Sequence, residues 1–241
     1  MANLRFLYEF KINQIIDHTP EIRELVLELT NNPEFSFKAG QFVMLHVPVE
    51  GAAKPALRAY SIASTDEQKN GFKLIFKYVE NGVASRYVWD LKGDETLKFT
   101  GPFGKVFFKE PPTEQIVFLN TGSGVSQHFS FLESKMKQYP NLKYTLYFGV
   151  RKEADIYYES ELKRLQQQLP NFEYHYILSR ASDEWTGKKG YVQHYLKDIP
   201  YKEVPTTFYL CGNGGMIKEV KHQLLELDGL DKSSVWAEAF D

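Results

Sequence analysis

One cysteine in 241 residues, Cys211, leaves this chain no second thiol for a disulfide and no set of ligands for a cysteine-bound iron–sulfur cluster. Any such cluster must belong to a partner. Long apolar runs are also missing. Nowhere do about 18 apolar residues follow one another, and the opening MANLRFLYEFKINQ lacks an apolar stretch of signal-peptide length. These absences predict a soluble, cytoplasmic protein with no membrane element. Neither sign of charge is in excess: 29 Lys and Arg face 31 Asp and Glu, for a net charge of -2, so nothing electrostatic favours nucleic acid as a partner. The six histidines are scattered without metal-ligand spacing, and no metal site is expected.

What the chain does have changes in texture near residue 112. Before that point, short apolar or alternating runs (FLYEFKI, RELVLEL, QFVMLHV, RAYSIAS, FKLIFKYV, ETLKFT) are separated by turn signals such as NNPEF, KAG, VEG and QKNG. That spacing predicts a small antiparallel barrel over residues 1–110, with one helix at VASRYVWDL ending near Gly93. Pro111 and Pro112 mark a linker. From 113 to 241 strands and helices alternate: IVFLN then VSQHFSFLESKMKQY, KYTLYFGV then YESELKRLQQQL, FEYHYILS then YVQHYLKD, TTFYLCG then MIKEVKHQLLEL, and a last strand SSVWAEAF. The expected fold is therefore two-domain, an N-terminal antiparallel β-barrel followed by an α/β domain whose mostly parallel sheet carries helices on both faces.

In open α/β sheets ligands bind beyond the carboxyl ends of the strands. Two turns there are glycine-rich. In FLNTGSGVSQH, Thr121, Gly122, Ser123 and Gly124 offer small side chains and free N–H groups at a helix start, suited to a pyrophosphate and equally to an ordinary tight turn. CGNGGM repeats the pattern with Gly212, Gly214 and Gly215 and also reads as a connection around a buried thiol. In the first half, the alternation of RAYSIAS puts Ala59, Ser61 and Ala63 on one face and Arg58, Tyr60, Ile62 and Ser64 on the other.

Taken in order, RAYSIAS, NGVAS at 81–85, GPFG at 101–104, NTGSG at 120–124, CGNGGM at 211–216 and AEAF at 237–240 resemble the ferredoxin-NADP(+) reductase family across essentially the whole chain. The resemblance implies a flavin-binding barrel and a nicotinamide-dinucleotide domain, with FAD as the flavin. In the RxYS pattern of Arg58, Ala59, Tyr60 and Ser61, all counted as flavin-binding, Arg58 pairs with the flavin pyrophosphate, Tyr60 lies beside the ring and ribityl chain, and Ser61 reaches the N5 side. The helix start Gly82, Val83, Ala84 and Ser85 gives a second phosphate clamp. Thr121 and Gly122 lie beneath the nucleotide pyrophosphate, while Cys211 and Gly212 border the nicotinamide. Glu238 relays protons or binds the electron partner, and Phe240 stacks where nicotinamide must come. Ser179 and Arg180, with Lys188 or Lys189 adding charge, resemble a 2′-phosphate site, favouring NADP(H) over NAD(H), although EWTGKKGYV also looks like NADH-using relatives.

Two departures stand out. Where the family commonly continues its turn with Gly-Ile-Ala-Pro, this chain has Gly124, Val125, Ser126, Gln127 and His128. Asp241 extends one residue past the aromatic ring. The implied protein is a free-standing flavoprotein reductase exchanging electrons with ferredoxin, flavodoxin or an oxygenase-type iron–sulfur protein. Its alternatives are an NAD(P)H:free-flavin or quinone reductase, and an electron-transfer subunit of a larger complex.

Overall fold

The computed structural model describes residues 6–31 and 34–240. Asp241 lies outside them, as do Asn32 and Pro33 of the NNPEF turn. Two compact units are present: residues up to Phe107 together with Phe129–Ser134, and Phe108–His128 together with Lys135 onward.

In the first unit, period-two patterning produces six antiparallel strands: β1 (Leu7–Thr19), β2 (Ile22–Leu29), β3 (Phe42–Val47), β4 (Ala56–Ser61), β5 (Gly71–Lys77) and β6 (Thr96–Phe103). They run in the order β4-β3-β6-β1-β2-β5. A bridge between Ile62 and Leu74 joins the two edges and closes the sheet into a barrel. Alternate residues of β1 (Tyr8, Phe10, Ile12) point inward. There Phe10 packs on Phe72, Phe35 and Phe99 at ring-centroid distances of 4.5, 5.3 and 5.7 Å. Each such ring contributes about 1.5–3 kcal/mol by leaving water.

Helix α1 (Val83–Asp90) crosses from β5 to β6, burying Ala84, Ser85 and Val88. Its last carbonyls, which have no partner within the helix, are met by Arg23. The guanidinium donates to Val88 O at 3.0 Å and Trp89 O at 3.3 Å, and pairs in a fork with Asp17. That pair holds the Asp17 carboxyl below its usual range.

The second unit has six parallel strands: β7 (Gln115–Thr121), β8 (Lys143–Val150), β9 (Phe172–Leu178), β10 (Lys188–Lys189), β11 (Thr206–Gly212) and β12 (Val235–Ala239). Their order is β10-β9-β8-β7-β11-β12. β7 and β11 are almost continuously buried, as a sheet covered on both faces requires. Helix α2 (Val125–Lys135) lies on one face, where the His128 ring packs against Phe118 at 5.0 Å. On the opposite face Val117, Leu119, Phe208 and Leu210 meet Met216, Ile217 and Val220 of helix α4 (Gly214–Lys221). Helix α3 (Glu159–Gln168) follows β8.

Two local expectations change. VQHYLKD is a 3-10 segment, Val192–Asp198, rather than an α-helix. Gly190, at φ +99°, and Pro200 confine it to two turns, too short to gain much from α-type bonding. The lysine pair of EWTGKKGYV is a two-residue edge strand beside β9 rather than a plain loop. No helix among the described residues is long and apolar enough to cross a membrane.

Candidate functional site

β4 ends at Ser61, and the alternation expected of RAYSIAS is found neither within it nor beyond it. Leu57, Arg58 and Ala59 are all exposed, whereas Ser61, Ile62, Ala63 and Ser64 are all buried. The cause is the closure of the barrel: after Ser61 the chain leaves the edge to bridge Leu74 and is wrapped on every side. Arg58 is exposed, with Nη1 donating to Leu57 O at 2.9 Å. Tyr60 packs on Phe76, ring centroids 4.3 Å apart, and burial pushes its phenol up to about 12, so it stays protonated at neutral pH. Ser61 is buried and pairs in register with Phe42.

The start of α1 bears no acidic residue, and its N-cap, Gly82, supplies no side-chain cap. The N–H groups of the first turn therefore remain available to an anion. Ser85 differs from the expectation. Its Oγ is buried and accepts from Val79 N at 2.8 Å, and Gly82 N donates to Val79 O at 2.9 Å, so both steady the preceding turn and the backbone N–H groups of Val83 and Ala84 are what this helix start presents. Exposed apolar side chains gather beside these motifs in the sequence: Leu57 next to Arg58, and Tyr78, Val79 and Val83 around the NG turn. A flavin, with its charged pyrophosphate and flat apolar ring, fits that combination of donor set and uncovered surface.

In the second unit, β7 is the point where strand order reverses, with β8 on one side and β11 on the other. The crevice at such a switch point is where α/β sheets bind ligands. Thr121–Gly122 and Cys211–Gly212 come together there. Thr121 Oγ1 accepts from Asn213 N at 2.8 Å. Gly212, at φ +123°, lies so close to Thr121 that a Cβ would sit 2.4 Å from its Oγ1. Gly124 abuts the backbone of Cys211, whereas Gly122, at φ +53°, has nothing within 4 Å of where a Cβ would be. The turn is thus packed tightly beneath and open above. Neither α2 nor α4 has an acidic residue in its first turn. A dinucleotide pyrophosphate fits this surface.

Cys211 is buried, and burial, followed by the charge of Glu238, raises its thiol well above the ordinary range. It is therefore a thiol rather than a thiolate, suited to lining a site and not to nucleophilic attack. Glu238 pairs in register with Cys211 across β11 and β12, and Phe240 N donates to Gly212 O at 2.9 Å. The C-terminal strand thus brings both residues to the switch point.

Ser179 and Arg180 follow β9, where Arg180 N donates to Arg151 O at 2.8 Å and Ser179 N to Val150 O at 3.1 Å. This places Arg151, unremarked in the sequence, beside Arg180. A cation directly after the strand KYTLYFGV was the available signal. Both arginines are exposed, and their side chains form no hydrogen bond or ion pair among the described residues. Lys188 and Lys189 are engaged. Lys188 Nζ lies 3.3 Å from Asp198 and 4.2 Å from the centre of the Tyr195 ring, and Lys189 Nζ donates to Ser182 O at 3.0 Å. A cavity of about 890 Å³ lined in part by Gln193, Tyr201, Lys202 and Glu219 contains none of the expected site residues.

An edge that suits a flavin in one unit and a switch-point crevice that suits a dinucleotide in the other are what an oxidoreductase built from two cofactor domains requires. Residues 9–108 match the oxidoreductase FAD-binding domain and residues 118–222 the oxidoreductase NAD-binding domain. The chain is 31% identical to ferredoxin–NADP reductase B of Sorangium cellulosum, over 97% of this chain and 98% of that protein. It belongs to the ferredoxin-NADP reductase family. With the anthranilate 1,2-dioxygenase electron transfer component of Acinetobacter baylyi it shares 30% identity over 80% of this chain, spanning 55% of that protein. The fold matches a ferredoxin NADP+ reductase of Neisseria gonorrhoeae, solved with bound FAD and NADP, at a TM-score of 0.81 and 22% identity, over 97% of this chain and 98% of that one.

Proposed function

We propose that this chain moves electrons between NADP(H) and bound FAD, and exchanges them singly with a ferredoxin, a flavodoxin or an oxygenase-type iron–sulfur protein. FAD, when bound, supplies the passage from two-electron to one-electron chemistry, and the protein supplies binding and alignment. The observation that carries the reading is the meeting of Thr121–Gly122 with Cys211–Gly212 at the switch point, next to Glu238.

In this reading Arg58 neutralises the flavin pyrophosphate, with Ala59 leaving room beside it. Tyr60 offers a protonated phenol and an apolar ring wall, Ser61 a hydroxyl, and Gly82 to Ser85 a helix start facing phosphate. Thr121 and Gly122 carry the nucleotide pyrophosphate. Cys211 and Gly212 line the nicotinamide position, which Phe240 occupies until the nucleotide displaces it. Glu238 holds or passes a proton there.

NADP(H) is favoured because Arg151 and Arg180 stand together beyond β8 and β9 with neither guanidinium paired, whereas Lys188 and Lys189 are committed elsewhere. A 2′-phosphate calls for such forked cations, and a bare hydroxyl does not. Arg180→Ala and Arg151→Ala are each expected to lower kcat/KM for NADPH by about 10–100-fold, with NADH changing less than about twofold. A wild-type preference for NADH, untouched by either substitution, would assign the nucleotide the other way.

The acceptor is tested by steady-state turnover with ferredoxin, flavodoxin and free FMN in parallel. NADPH-driven reduction of an iron–sulfur protein or a flavodoxin is the expected outcome. Turnover with free FMN alone would make the chain a flavin reductase.

A further inference from the structure

We propose that Gln127 is a positioning residue for Glu238, its carboxamide holding the Glu238 carboxylate beside Cys211. This rests on the redox reading above for the role of Glu238, although the pairing itself does not. Gln127 lies in the first turn of α2, fully buried, and its Nε2 donates to Glu238 Oε2 at 3.1 Å across 111 residues of sequence. Glu238 is in turn the register partner of Cys211 on the adjacent strand. The contact therefore links the helix that follows the Thr121–Gly122 turn to the C-terminal strand.

Three features make this more than a packing contact. Gln127 stands where the Gly-Ile-Ala-Pro pattern would put proline, a residue with no side-chain donor, so the departure from that pattern is itself the source of the hydrogen bond. A buried carboxamide is costly unless it is hydrogen-bonded, and a carboxylate acceptor makes the bond charge-assisted and stronger. The third is the register pairing of Glu238 with Cys211, where burial first and the Glu238 charge second raise the thiol. Glu238 sits on a short edge strand, and the Gln127 carboxamide reaches it from a buried turn of α2.

The test is a cycle of Gln127→Met, Glu238→Gln and the double variant, read in two ways. The first needs no cofactor: because Cys211 is the sole cysteine and is buried, the infrared S–H stretching band of the folded protein reports on the surroundings of that thiol alone. Losing the neighbouring carboxylate, or moving it, changes the field and the hydrogen bonding at the S–H. Both single variants are expected to shift the band in the same direction, with the double variant shifted no further than Glu238→Gln. The second reading is the limiting rate of flavin reduction by NADPH. It is expected to fall about tenfold in each single variant and no further in the double, with KM within about twofold.

An S–H band in Gln127→Met at the wild-type position, or effects of the two substitutions that add in full, would overturn the proposal. Gln127→Ala serves as a second variant should methionine disturb folding, with a thermal melt of each variant separating local release from general loosening. If the wild-type protein shows no flavin reduction at all, the redox reading fails, and the S–H cycle still decides the pairing.

Discussion

Gly124→Ala is expected to lower the melting temperature of the second unit by roughly 6–12 °C and to weaken nucleotide binding by at least about tenfold. The added Cβ would lie 2.4 Å from Cys211 O, 2.7 Å from its carbonyl carbon and 3.0 Å from Gly212 N. All three are backbone atoms of β11 and the turn after it, so no side chain can rotate away. Overpacking of this kind costs about 1–3 kcal/mol, and a contact with immovable atoms belongs at the upper end. At about 2–4 °C per kcal/mol for a chain of this size, the stated shift follows. Binding suffers as well, because separating β7 from β11 opens the crevice that Thr121 and Gly212 form.

Gly122→Ala is the companion measurement. Its φ of +53° carries a modest conformational cost of about 1 kcal/mol, yet no atom lies within 4 Å of the new methyl. A melting shift for Gly124→Ala no larger than that for Gly122→Ala would mean that the close approach of the two turns does not hold the site together. Differential scanning calorimetry and nucleotide titration of the two variants decide it.

Arg58→Ala should yield a folded protein that has lost most of its flavin. The guanidinium is exposed, and among the described residues its hydrogen bond goes to the carbonyl of the preceding residue, so removing it leaves the barrel core intact. What disappears is the charge proposed to face the pyrophosphate. A charge-assisted hydrogen bond of about 1.5–3 kcal/mol corresponds to a roughly 10–150-fold weaker flavin Kd. Arg58→Lys restores the charge without the fork and should recover part of the affinity. Flavin-to-protein ratio after purification and fluorescence titration of the stripped protein measure both. Undiminished flavin content in Arg58→Ala would remove this residue from the flavin site.

Much of the architecture is legible in the sequence because it is written in local patterns. The change from period-two runs to alternating strand and helix separates barrel from α/β sheet, and glycines mark the two turns that meet at the switch point. Other features resist that reading for physical reasons. Ile62 and Ser64 are buried along with Ala63 because barrel closure wraps that segment, and a two-face alternation rule has no means of registering closure. Lys188 resembles a free cation in sequence but is held by Asp198 and Tyr195, partners supplied by the following 3-10 segment.

The two contacts that most sharpen the site are long-range. Arg151 meets Arg180 because β8 and β9 are parallel neighbours, and Gln127 meets Glu238 because β12 returns beside β11. Neither pair has a sequence spacing that signals it. In the sequence, Ser126, Gln127 and His128 stand out only as a departure. In the fold Gln127 acquires a partner, and His128 is a buried neutral ring against Phe118, its pKa held down to about 3 by burial.

Anaerobic absorbance of the purified protein, recorded before and after addition of NADPH and then of NADH, tests the central claim most directly. The account predicts the visible bands of a bound flavin, bleached by NADPH at lower concentration than by NADH. A colourless protein that takes up neither FAD nor FMN, or flavin bands that neither nucleotide bleaches, would contradict it.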